Sequence, residues 1–383
     1  MMMARQRSSR QLNWRWGDLN MKIITVVGAR PQFIKAAAVS RAIATHYADQ
    51  IEEQIIHTGQ HFDDNMSKVF FDDLGIPEPH HHFAISGGHH GAMTGKMLEA
   101  VESVLLKEKP DWVLVYGDTN STLAGALAAA KLHIPIAHIE AGLRSFNMRM
   151  PEEINRILSD RVASQLFCPT QTAVDNLASE GIVQGVHNVG DVMYDVALHY
   201  QDKAKSTSTV INELNVSSKS FALATCHRAE NTDDPKRLKE ILNALAYVAT
   251  KMPVILPLHP RTKKLIQSFE LQALLSQLIV TEPLPFLDMV ALEQDARLIL
   301  TDSGGVQKEA YFYGVPCVTM RDETEWVETV QLGWNKLTGA NAEAIISSVD
   351  QYLKQGPAPS ATQPYGNGHA SNQILGHILQ NQH

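Results

Sequence analysis

The sequence predicts an α/β protein with two doubly wound, Rossmann-like domains that face each other across a cleft. Short apolar segments alternate with helical patterns through most of the 383 residues, which is typical of parallel sheets covered by helices. The pattern stops near residue 190 and then starts again, which indicates a second domain. A chain of this length is long enough for two domain cores of ordinary size.

Short apolar segments in both halves of the chain support the strand prediction. In the first half they are residues 23–27, 54–57, 112–116 and 134–139. In the second half they are residues 221–225, 254–258, 278–280, 298–301 and 317–320. Helical patterns, such as residues 33–46 and 93–107, separate the strands. Residues 201–220 are rich in Ser, Thr and Lys and predict a surface connection.

These patterns divide the chain into four parts. Residues 1–20 are predicted to be a disordered extension or the product of an upstream start codon, with the folded protein starting at Met21. A basic arm that binds a partner is the alternative, because this segment contains several arginines. Residues 21–190 form the predicted N-terminal domain and residues 191–369 the C-terminal domain. Residues 370–383 form a predicted helix that crosses back to the first domain.

The composition excludes several classes of protein. A net charge of −8, from 33 basic and 41 acidic residues, gives no support for binding to nucleic acid or to a membrane surface. Three widely spaced cysteines without a CxxC pair argue against a disulfide framework and favour a reducing cytoplasm. No apolar run approaches the roughly 18 residues that cross a bilayer. The N-terminal segment also lacks the apolar core of a signal peptide.

Acidic residues are concentrated after two predicted strands of the first half. Asp118 and Glu140 each follow such a strand directly, and Glu152 comes soon after them. The carboxyl ends of parallel strands meet at one edge of a sheet, and ligands bind at that edge. Arg144 and Arg156 are close in sequence. Carboxylates gathered beside cations indicate proton-transfer chemistry on an anionic substrate.

A first phosphate-binding turn is predicted at residues 27–35. A strand ends at Gly28, and Pro31 suits the first position of the helix that follows. Free amide N–H groups at such a helix start favour an anion, and Arg30 and Lys35 add positive charge. A tight turn whose basic residues are simply solvated is the alternative.

A second turn of this kind follows the strand at residues 298–301. The backbone amides of Ser303 to Gly305 could hold another phosphate at the start of a helix. Glu309 lies about one turn inside that helix, where its carboxylate could accept hydrogen bonds from the two hydroxyls of a ribose. Its alternative role is only to complement the helix dipole. Two such turns on opposing domains favour a nucleoside diphosphate as ligand.

Motifs in family order give the chain a resemblance to a known group of enzymes. They are Gly28-Ala29-Arg30-Pro31 with Lys35, Gly117-Asp118-Thr119, Glu140-Ala141-Gly142-Leu143-Arg144, Pro151-Glu152-Glu153 with Asn155-Arg156, His227-Arg228 with Glu230-Asn231, Asp302-Ser303-Gly304-Gly305, and Tyr365-Gly366 with Gly368. On these motifs the chain from Met21 onward resembles the non-hydrolysing UDP-N-acetylglucosamine 2-epimerases.

The resemblance implies a GT-B type of fold and the interconversion of UDP-N-acetylglucosamine and UDP-N-acetylmannosamine. The family eliminates UDP to form a glycal and then adds UDP back with protonation on the other face of the sugar. The resemblance further implies a UDP-sugar as the ligand, no cofactor, no metal, and a cytoplasmic homodimer. The product would serve as a precursor for cell-surface polysaccharide.

The resemblance also assigns site residues. The catalytic residues are expected to be Asp118, Glu140, Glu152 and His227. The substrate-binding residues are expected to be Arg30, Lys35, Arg156, Ser303, Gly304, Gly305 and Glu309. Uracil is expected near residues 283–287. The acid and base roles among the three carboxylates stay open, because such groups titrate together.

Alternative interpretations apply to some of these residues. Asp118 could instead cap a helix that begins near Asn120, since Asp is a favoured N-cap. Arg156 could pair with Asp160, one turn along the same helix. Glu153 is expected to be structural.

Two further regions of the sequence contain histidines. The histidines at residues 80–82 and 89–90 are predicted to lie in a solvated loop, because no acids or cysteines stand at metal-ligand spacing. Gln60 and His61 match a segment with which some bacterial relatives bind a second, activating substrate molecule. Phe62-Asp63 replaces the usual Arg-Glu there, which argues against that second site.

Departures from the family pattern point to an altered sugar pocket. Ala29 and Gln32 stand where Thr and Glu are usual, and Trp326-Val327 replaces Arg-Pro. Together with residues 146–150, these changes are similar to the subgroup that acts on UDP-2,3-diacetamido-glucuronic acid, whose carboxylate Arg149 could bind. That sugar is the alternative substrate. A GT-B glycosyltransferase that uses a UDP-sugar and a catalytically silent sensor are the alternatives of other classes.

Overall fold

A computed structural model describes residues 20–59, 75–357 and 362–381 of the chain. They form two parallel β-sheets covered by helices, which confirms the predicted α/β class with two doubly wound sheets. The predicted N-terminal extension lies almost wholly outside the described residues. The segment that contains Gln60, His61, Phe62 and Asp63 lies outside them as well.

Within the described residues, the first sheet has seven strands in the order β3-β2-β1-β4-β5-β6-β7. They are β1 (Met21–Val27), β2 (Ile51–His57), β3 (His81–His82), β4 (Trp112–Tyr116), β5 (Ile136–Ile139), β6 (Gln165–Cys168) and β7 (Val186–Asn188). The central strand β1 pairs with β2 and β4 in parallel. Its residues are almost all buried, as expected for a strand with helices on both faces.

The second sheet has six strands among the described residues, in the order β10-β9-β8-β11-β12-β13. They are β8 (Ala222–Thr225), β9 (Val254–Pro257), β10 (Ile279–Thr281), β11 (Leu298–Thr301), β12 (Cys317–Thr319) and β13 (Asn335–Leu337). In both sheets the strand order reverses beside the first strand of that half, and the loops that follow the central strands lie at one edge. That edge is the usual ligand site of an open α/β sheet.

Helices connect the strands throughout. Before β8 they are α1 (Arg30–Ala42), α2 (His90–Glu108), α3 (Asn120–Lys131), α4 (Pro151–Val162), α5 (Gln171–Ser179), α6 (Val192–Thr207) and α7 (Val210–Glu213). After β8 they are α8 (Ala229–Thr232), α9 (Pro235–Ala249), α10 (Pro260–Ser268), α11 (Phe286–Asp295), α12 (Gly304–Phe312), α13 (Val327–Gln331), α14 (Ala342–Gln355) and α15 (Ala370–Gln380). A π-helical turn (Ile43–Tyr47) continues α1, and a 3-10 turn (Gln272–Leu275) precedes β10.

Some local predictions are wrong. Residues 201–220 are not simply a surface connection, because α6 continues to Thr207 and α7 follows, with Ala204 and Val210 buried. The strands β6, β7 and β13 were not predicted. They have only three or four residues each and include polar side chains, so no apolar run marks them.

The prediction of a solvated loop for the histidines is confirmed in part, because four of the five are exposed but three of the five belong to a strand or a helix. His81 and His82 form the edge strand β3, and His80 Nδ1 accepts a hydrogen bond from the Ile55 amide at 3.2 Å. His89 stands at the N-cap position of α2, and His90 begins that helix. His81 and His82 therefore belong to the edge strand of the first sheet and His90 to a helix, whereas His80 and His89 lie just outside these elements.

The helix α15 packs against the first sheet rather than the second. Ile374, Leu375 and Ile378 are buried in a cluster that also contains Phe33 of α1 and Val196 of α6. The N-terminus of α15 is anchored to α6, since the amides of residues 370 and 371 donate to the Asp195 carboxylate. Over the described ranges, no helix is both long enough and apolar enough to span a membrane.

Truncating the buried face of α15 should destabilise the fold. Ile374→Ala removes a side chain that is fully buried between α15, α1 and α6. We expect the free energy of unfolding to fall by about 2–5 kcal/mol, the usual result of opening a cavity in a packed core. Denaturant unfolding followed by tryptophan fluorescence would measure the change. Gln373→Ala, on the exposed face of the same helix, is the matched control, and equal losses in both variants would contradict the packing.

Candidate active site

The loop after β4 gives Glu140 the space that its side chain needs. Gly117 has φ of +62°, and a Cβ at this position would lie 3.1 Å from Glu140 Oε2 and 3.4 Å from Lys35 Nζ. Glu140 follows β5 and also has a left-handed backbone, with φ of +69°. Such a conformation is strained for a residue other than glycine and is concentrated at functional sites. The backbone therefore directs the Glu140 carboxylate toward Lys35.

Two lysines hold the Glu140 carboxylate. Lys35 of α1 pairs with Oε2, and Lys308 of α12 pairs with Oε1 at 3.0 Å. Glu140 is only 7% exposed. Burial alone would raise its pKa, but the positive charges of Lys308 and Lys35 lower the pKa to about 2. Glu140 is therefore an unprotonated carboxylate at neutral pH in this structure.

Asp118 is held by Arg156. Their side chains meet at 2.5 Å between Asp118 Oδ2 and Arg156 Nη2, and Arg156 Nη1 donates to Glu153 Oε2 at 2.8 Å. The alternative pair of Arg156 with Asp160 is wrong. The suggestion that Asp118 caps a helix is also wrong, because Thr119 occupies the N-cap position of α3. Asp118 is thus left free to face Arg156.

Glu153 stabilises the loop before α4. Its carboxylate accepts hydrogen bonds from the amides of Ser145 and Phe146, both at 2.9 Å. These bonds and the contact with Arg156 support the expected structural role of Glu153. Glu152, its neighbour on α4, is half-buried. Within the described residues, the Glu152 side chain makes no hydrogen bond or ion pair.

A buried network of hydrogen bonds supports the loops that carry Glu140 and Asp118. His138 Nδ1 lies 2.7 Å from Asp160 Oδ1, and its Nε2 lies 2.7 Å from the Gly117 carbonyl. Arg144 donates to Asp160 at 2.8 Å and to Glu180 at 2.7 Å. Burial would lower the pKa of His138, but the Asp160 carboxylate raises it above its usual value. The charged imidazolium can then donate from both nitrogens and fix the loops after β4 and β5.

The first glycine turn differs from the prediction. The amides of Gly28 and Ala29 are not free for a phosphate, because both donate to Oε1 of Gln32, at 2.8 and 3.1 Å. The Gln32 amide nitrogen in turn donates to the Tyr116 carbonyl and to Thr122 Oγ1. A Gln suits this position because it accepts on one side and donates on the other. Spacing alone could not reveal a side chain that folds back onto its own turn.

The second glycine turn is more open. Ser303 N donates to Thr301 Oγ1 at 2.9 Å, and α12 begins at Gly304. A Cβ at Gly304 would lie only 2.7 Å from Glu325 Oε1, so a larger residue there would displace that carboxylate. Burial would raise the pKa of Glu325, but the charges of Arg321 and Arg156 lower it.

Glu309 lies inside α12 as expected. It is half-buried, and burial together with the negative charge of Asp191 raises its pKa to about 7, against the opposing charges of Lys308 and Lys35. The segment expected near uracil begins α11. Its Phe286 packs edge-on against Tyr200, with ring centroids 5.2 Å apart.

His227 follows β8 and is positioned by Asp302. The fully buried Asp302 carboxylate accepts hydrogen bonds from the backbone amides of His227 and Arg228 and from the Asn231 side chain. The His227 side chain is 47% exposed, with Nδ1 3.6 Å from Asp302 Oδ1. Burial lowers the pKa of His227 despite that carboxylate, so a neutral imidazole is favoured at pH 7.

Contacts from the second half complete the site. Besides the Lys308–Glu140 pair, Asn147 Nδ2 donates to Glu323 Oε1 at 3.0 Å. Lys308 was not among the predicted site residues, although it adjoins Glu309 in the sequence. Asp302 was recognised as part of a motif, but its role in holding the His227 loop was not. Both roles depend on long-range contacts that the sequence pattern does not display.

Comparisons with known proteins point to one enzyme family. The sequence profile of the UDP-N-acetylglucosamine 2-epimerase family matches residues 43–379. A Pseudomonas aeruginosa protein named UDP-2,3-diacetamido-2,3-dideoxy-D-glucuronate 2-epimerase is 55% identical over 364 residues, which cover 94% of this chain and 100% of that protein.

Solved structures are similar over the whole fold. A structure of Methanocaldococcus jannaschii UDP-GlcNAc 2-epimerase in complex with UDP-GlcNAc and UDP has a TM-score of 0.85 and 43% identity, covering 95% of this chain and 100% of that one. A Neisseria meningitidis UDP-GlcNAc 2-epimerase bound to UDP-GlcNAc has a TM-score of 0.84 and 32% identity, covering 94% and 100%. The expected family resemblance and GT-B type of fold are confirmed.

Removing the charge of Asp302 should disturb the His227 loop. Asp302→Asn removes the negative charge that these donors face and places an NH2 donor against the backbone amide of His227, which contacts both Asp302 oxygens. We expect a loss of about 1–3 kcal/mol in unfolding free energy. Thermal unfolding would measure it. Asp350→Asn, which breaks a surface pair with Lys251, should leave the melting temperature nearly unchanged. Equal stability of the two variants would contradict this role.

Proposed function

Because the chain belongs to the UDP-N-acetylglucosamine 2-epimerase family, we propose that it inverts C2 of a UDP-linked 2-acetamido sugar. The charges around Glu140 support this proposal most directly. Two lysines keep the buried Glu140 carboxylate unprotonated, which is the form in which a carboxylate can accept a proton. It lies where the loops of the first sheet meet α12, whose N-terminus is suited to bind a diphosphate.

The chemistry requires elimination, because the C2 proton of such a sugar is not next to a carbonyl. A carboxylate takes the proton from C2, and the C–H electron pair forms a C1–C2 double bond. The C1–O bond breaks, and UDP departs with its electrons. In the return step a UDP oxygen attacks C1, and a proton is delivered to C2 on the opposite face. Asp118, Glu140 and Glu152 are the proposed proton-transfer groups.

The departing diphosphate needs positive charge and hydrogen-bond donors. The start of α12 at Gly304 and Gly305 supplies backbone N–H groups and the positive end of the helix dipole. Arg30 at the start of α1 and His227 after β8 are the proposed side-chain contributors. Glu309, on the same helix α12, is the proposed partner of the ribose hydroxyls.

We propose UDP-2,3-diacetamido-glucuronic acid as the preferred substrate and UDP-N-acetylglucosamine as the second candidate. The Pseudomonas aeruginosa relative, named for the acid sugar, shares more of its sequence with this chain than the Methanocaldococcus jannaschii enzyme does. Trp326 next to the α12 N-terminus supports an altered sugar pocket. The exposed Arg149, in the loop whose Asn147 contacts Glu323, is the proposed partner of the sugar carboxylate. Family membership also supports the proposals of a cytoplasmic homodimer and of a product used for cell-surface polysaccharide.

Proton NMR in D2O would test the reaction. With UDP-2,3-diacetamido-glucuronic acid, we expect a new manno-configured UDP-sugar that carries deuterium at C2, because the proton removed exchanges with solvent before it is replaced. The same experiment with UDP-N-acetylglucosamine ranks the two substrates. Glu140→Gln should slow the exchange by about 10²–10⁴-fold, the usual contribution of a proton-transfer group. If the protein binds UDP but exchanges neither sugar, a UDP-sugar transferase or a sensor becomes the better assignment.

Arg149→Ala would test the substrate preference. Loss of a hydrogen bond to a charged group costs about 1.5–3 kcal/mol, so kcat/KM for the acid sugar should fall roughly 10–150-fold. For UDP-N-acetylglucosamine, which has no carboxylate, kcat/KM should change by less than about 3-fold. Arg161→Ala, an exposed arginine at the other end of α4, is the control. Equal losses with both sugars would remove Arg149 from the proposal.

A further inference from the structure

We propose that Lys308 is a positioning residue that ties the carboxylate of Glu140 to the helix carrying the second glycine turn. The inference rests on the proposed function, since it assigns Glu140 a part in proton transfer. It adds a residue from the opposite half of the chain to the control of that carboxylate.

Lys308 is completely engaged by neighbouring groups. Its Nζ lies 3.0 Å from Glu140 Oε1 and 2.5 Å from Asp191 Oδ2. It also lies 3.7 Å from the centroid of the Trp326 ring, a cation–π distance. The side chain is only 2% exposed. A buried ammonium of this kind is costly unless its charge is matched, and here two carboxylates and an aromatic face match it.

The two oxygens of Glu140 are held from different halves of the chain. Lys35, on the first helix after β1, forms an ion pair with Oε2. Lys308, on α12 beside the second sheet, forms an ion pair with Oε1. Glu140 has a left-handed backbone and Gly117 packs closely against its carboxylate. The carboxylate therefore cannot rotate without losing one of its cations.

The helix that carries Lys308 also carries the proposed UDP contacts. Gly304 and Gly305 form its first turn, and Glu309 is the next residue after Lys308. Any movement of α12 on UDP binding or release therefore moves Lys308 relative to Glu140. When α12 and the β5 loop separate, Glu140 keeps Lys35 alone.

The charged surroundings of Glu140 set the direction of the effect. The titratable groups that contact it or influence it and its lysines are Lys35, Lys308, Asp191, His138 and Glu309. Removing Lys308 withdraws one of the two adjacent cations, so the pKa of Glu140 rises. A reaction that needs the Glu140 carboxylate is lost as the pH falls through this pKa. The acidic limb of the pH–rate profile should therefore move to higher pH.

Steady-state kinetics across the pH range would test this role with Lys308→Met and Lys308→Arg. We expect Lys308→Met to lower kcat at least about 10-fold and to move the acidic limb upward by about 1–3 pH units, the usual effect of an adjacent charge. UDP affinity, measured by calorimetry, should change by less than about 3-fold, whereas Lys308→Arg should keep the limb near its original position. Lys336→Met is the matched control, because Lys336 also lies over a ring, that of Tyr352 at 4.5 Å, but pairs with no carboxylate in the described part of the chain.

Two kinetic outcomes would overturn the inference. A wild-type limb in Lys308→Met would do so, and so would equal loss of activity in both Lys308 variants without any shift of the limb. If wild-type protein epimerises neither sugar, the proposed function fails and this inference fails with it. An active wild type with an unmoved limb in Lys308→Met removes this inference alone.

If Lys308→Met does not fold, Asp191→Asn decides the question. Asn can still accept the Met193 amide at the N-cap of α6, and Lys308 then faces Glu140 as its one carboxylate. The acidic limb should stay in place or move to lower pH. Movement to higher pH would overturn the inference.

Discussion

The pairing of buried charges between the two sheets is the constraint on which the site depends. Lys35 and Lys308 carry two positive charges, and Glu140 and Asp191 carry two negative ones, so the group is neutral as a whole. An unmatched charge in such a place would cost several kcal/mol. The cluster is complete only when α12 of the second half lies against the β5 loop of the first. The packing of α12 against the β5 loop and the neutralisation of these charges therefore depend on each other.

The same rule organises the loops around the cluster. Asp160 is matched by His138 and Arg144, and Arg156 is matched by Asp118 and Glu153. Side chains also accept hydrogen bonds from backbone groups. Gln32 accepts from the amides of the first glycine turn, and Asp302 accepts from those of the His227 loop. Loops fixed by such contacts have fewer conformations to lose, which reduces the entropy lost when reacting groups are aligned.

The sequence predicted the features that depend on local patterns of apolar and polar residues. Asp118 and Glu140 could be placed at a sheet edge because each follows a buried apolar strand. The strands β7 and β13 were not predicted, because short segments with polar residues show no hydrophobic periodicity. The prediction of free amides at Gly28 is wrong because the Gln32 side chain folds back onto the turn. The spacing of residues in the sequence does not show this contact. The sequence predicted a role for Glu309 and none for its neighbour Lys308, since the direction in which each side chain points depends on packing between the two sheets.

The pairing of both lysines with carboxylates has a consequence for the proposed binding of a diphosphate. Neither Lys35 nor Lys308 has an unmatched charge to offer it, and Glu325 already brings a negative charge close to Gly304. Arg321 lies 3.2 Å from Glu325 and offsets that charge. On the proposed function, we therefore expect the diphosphate to be stabilised chiefly by backbone N–H groups at the start of α12, with Arg30 and His227 as the proposed side-chain contributors. Fixed dipoles serve such a leaving group well, because they need no reorganisation as charge develops.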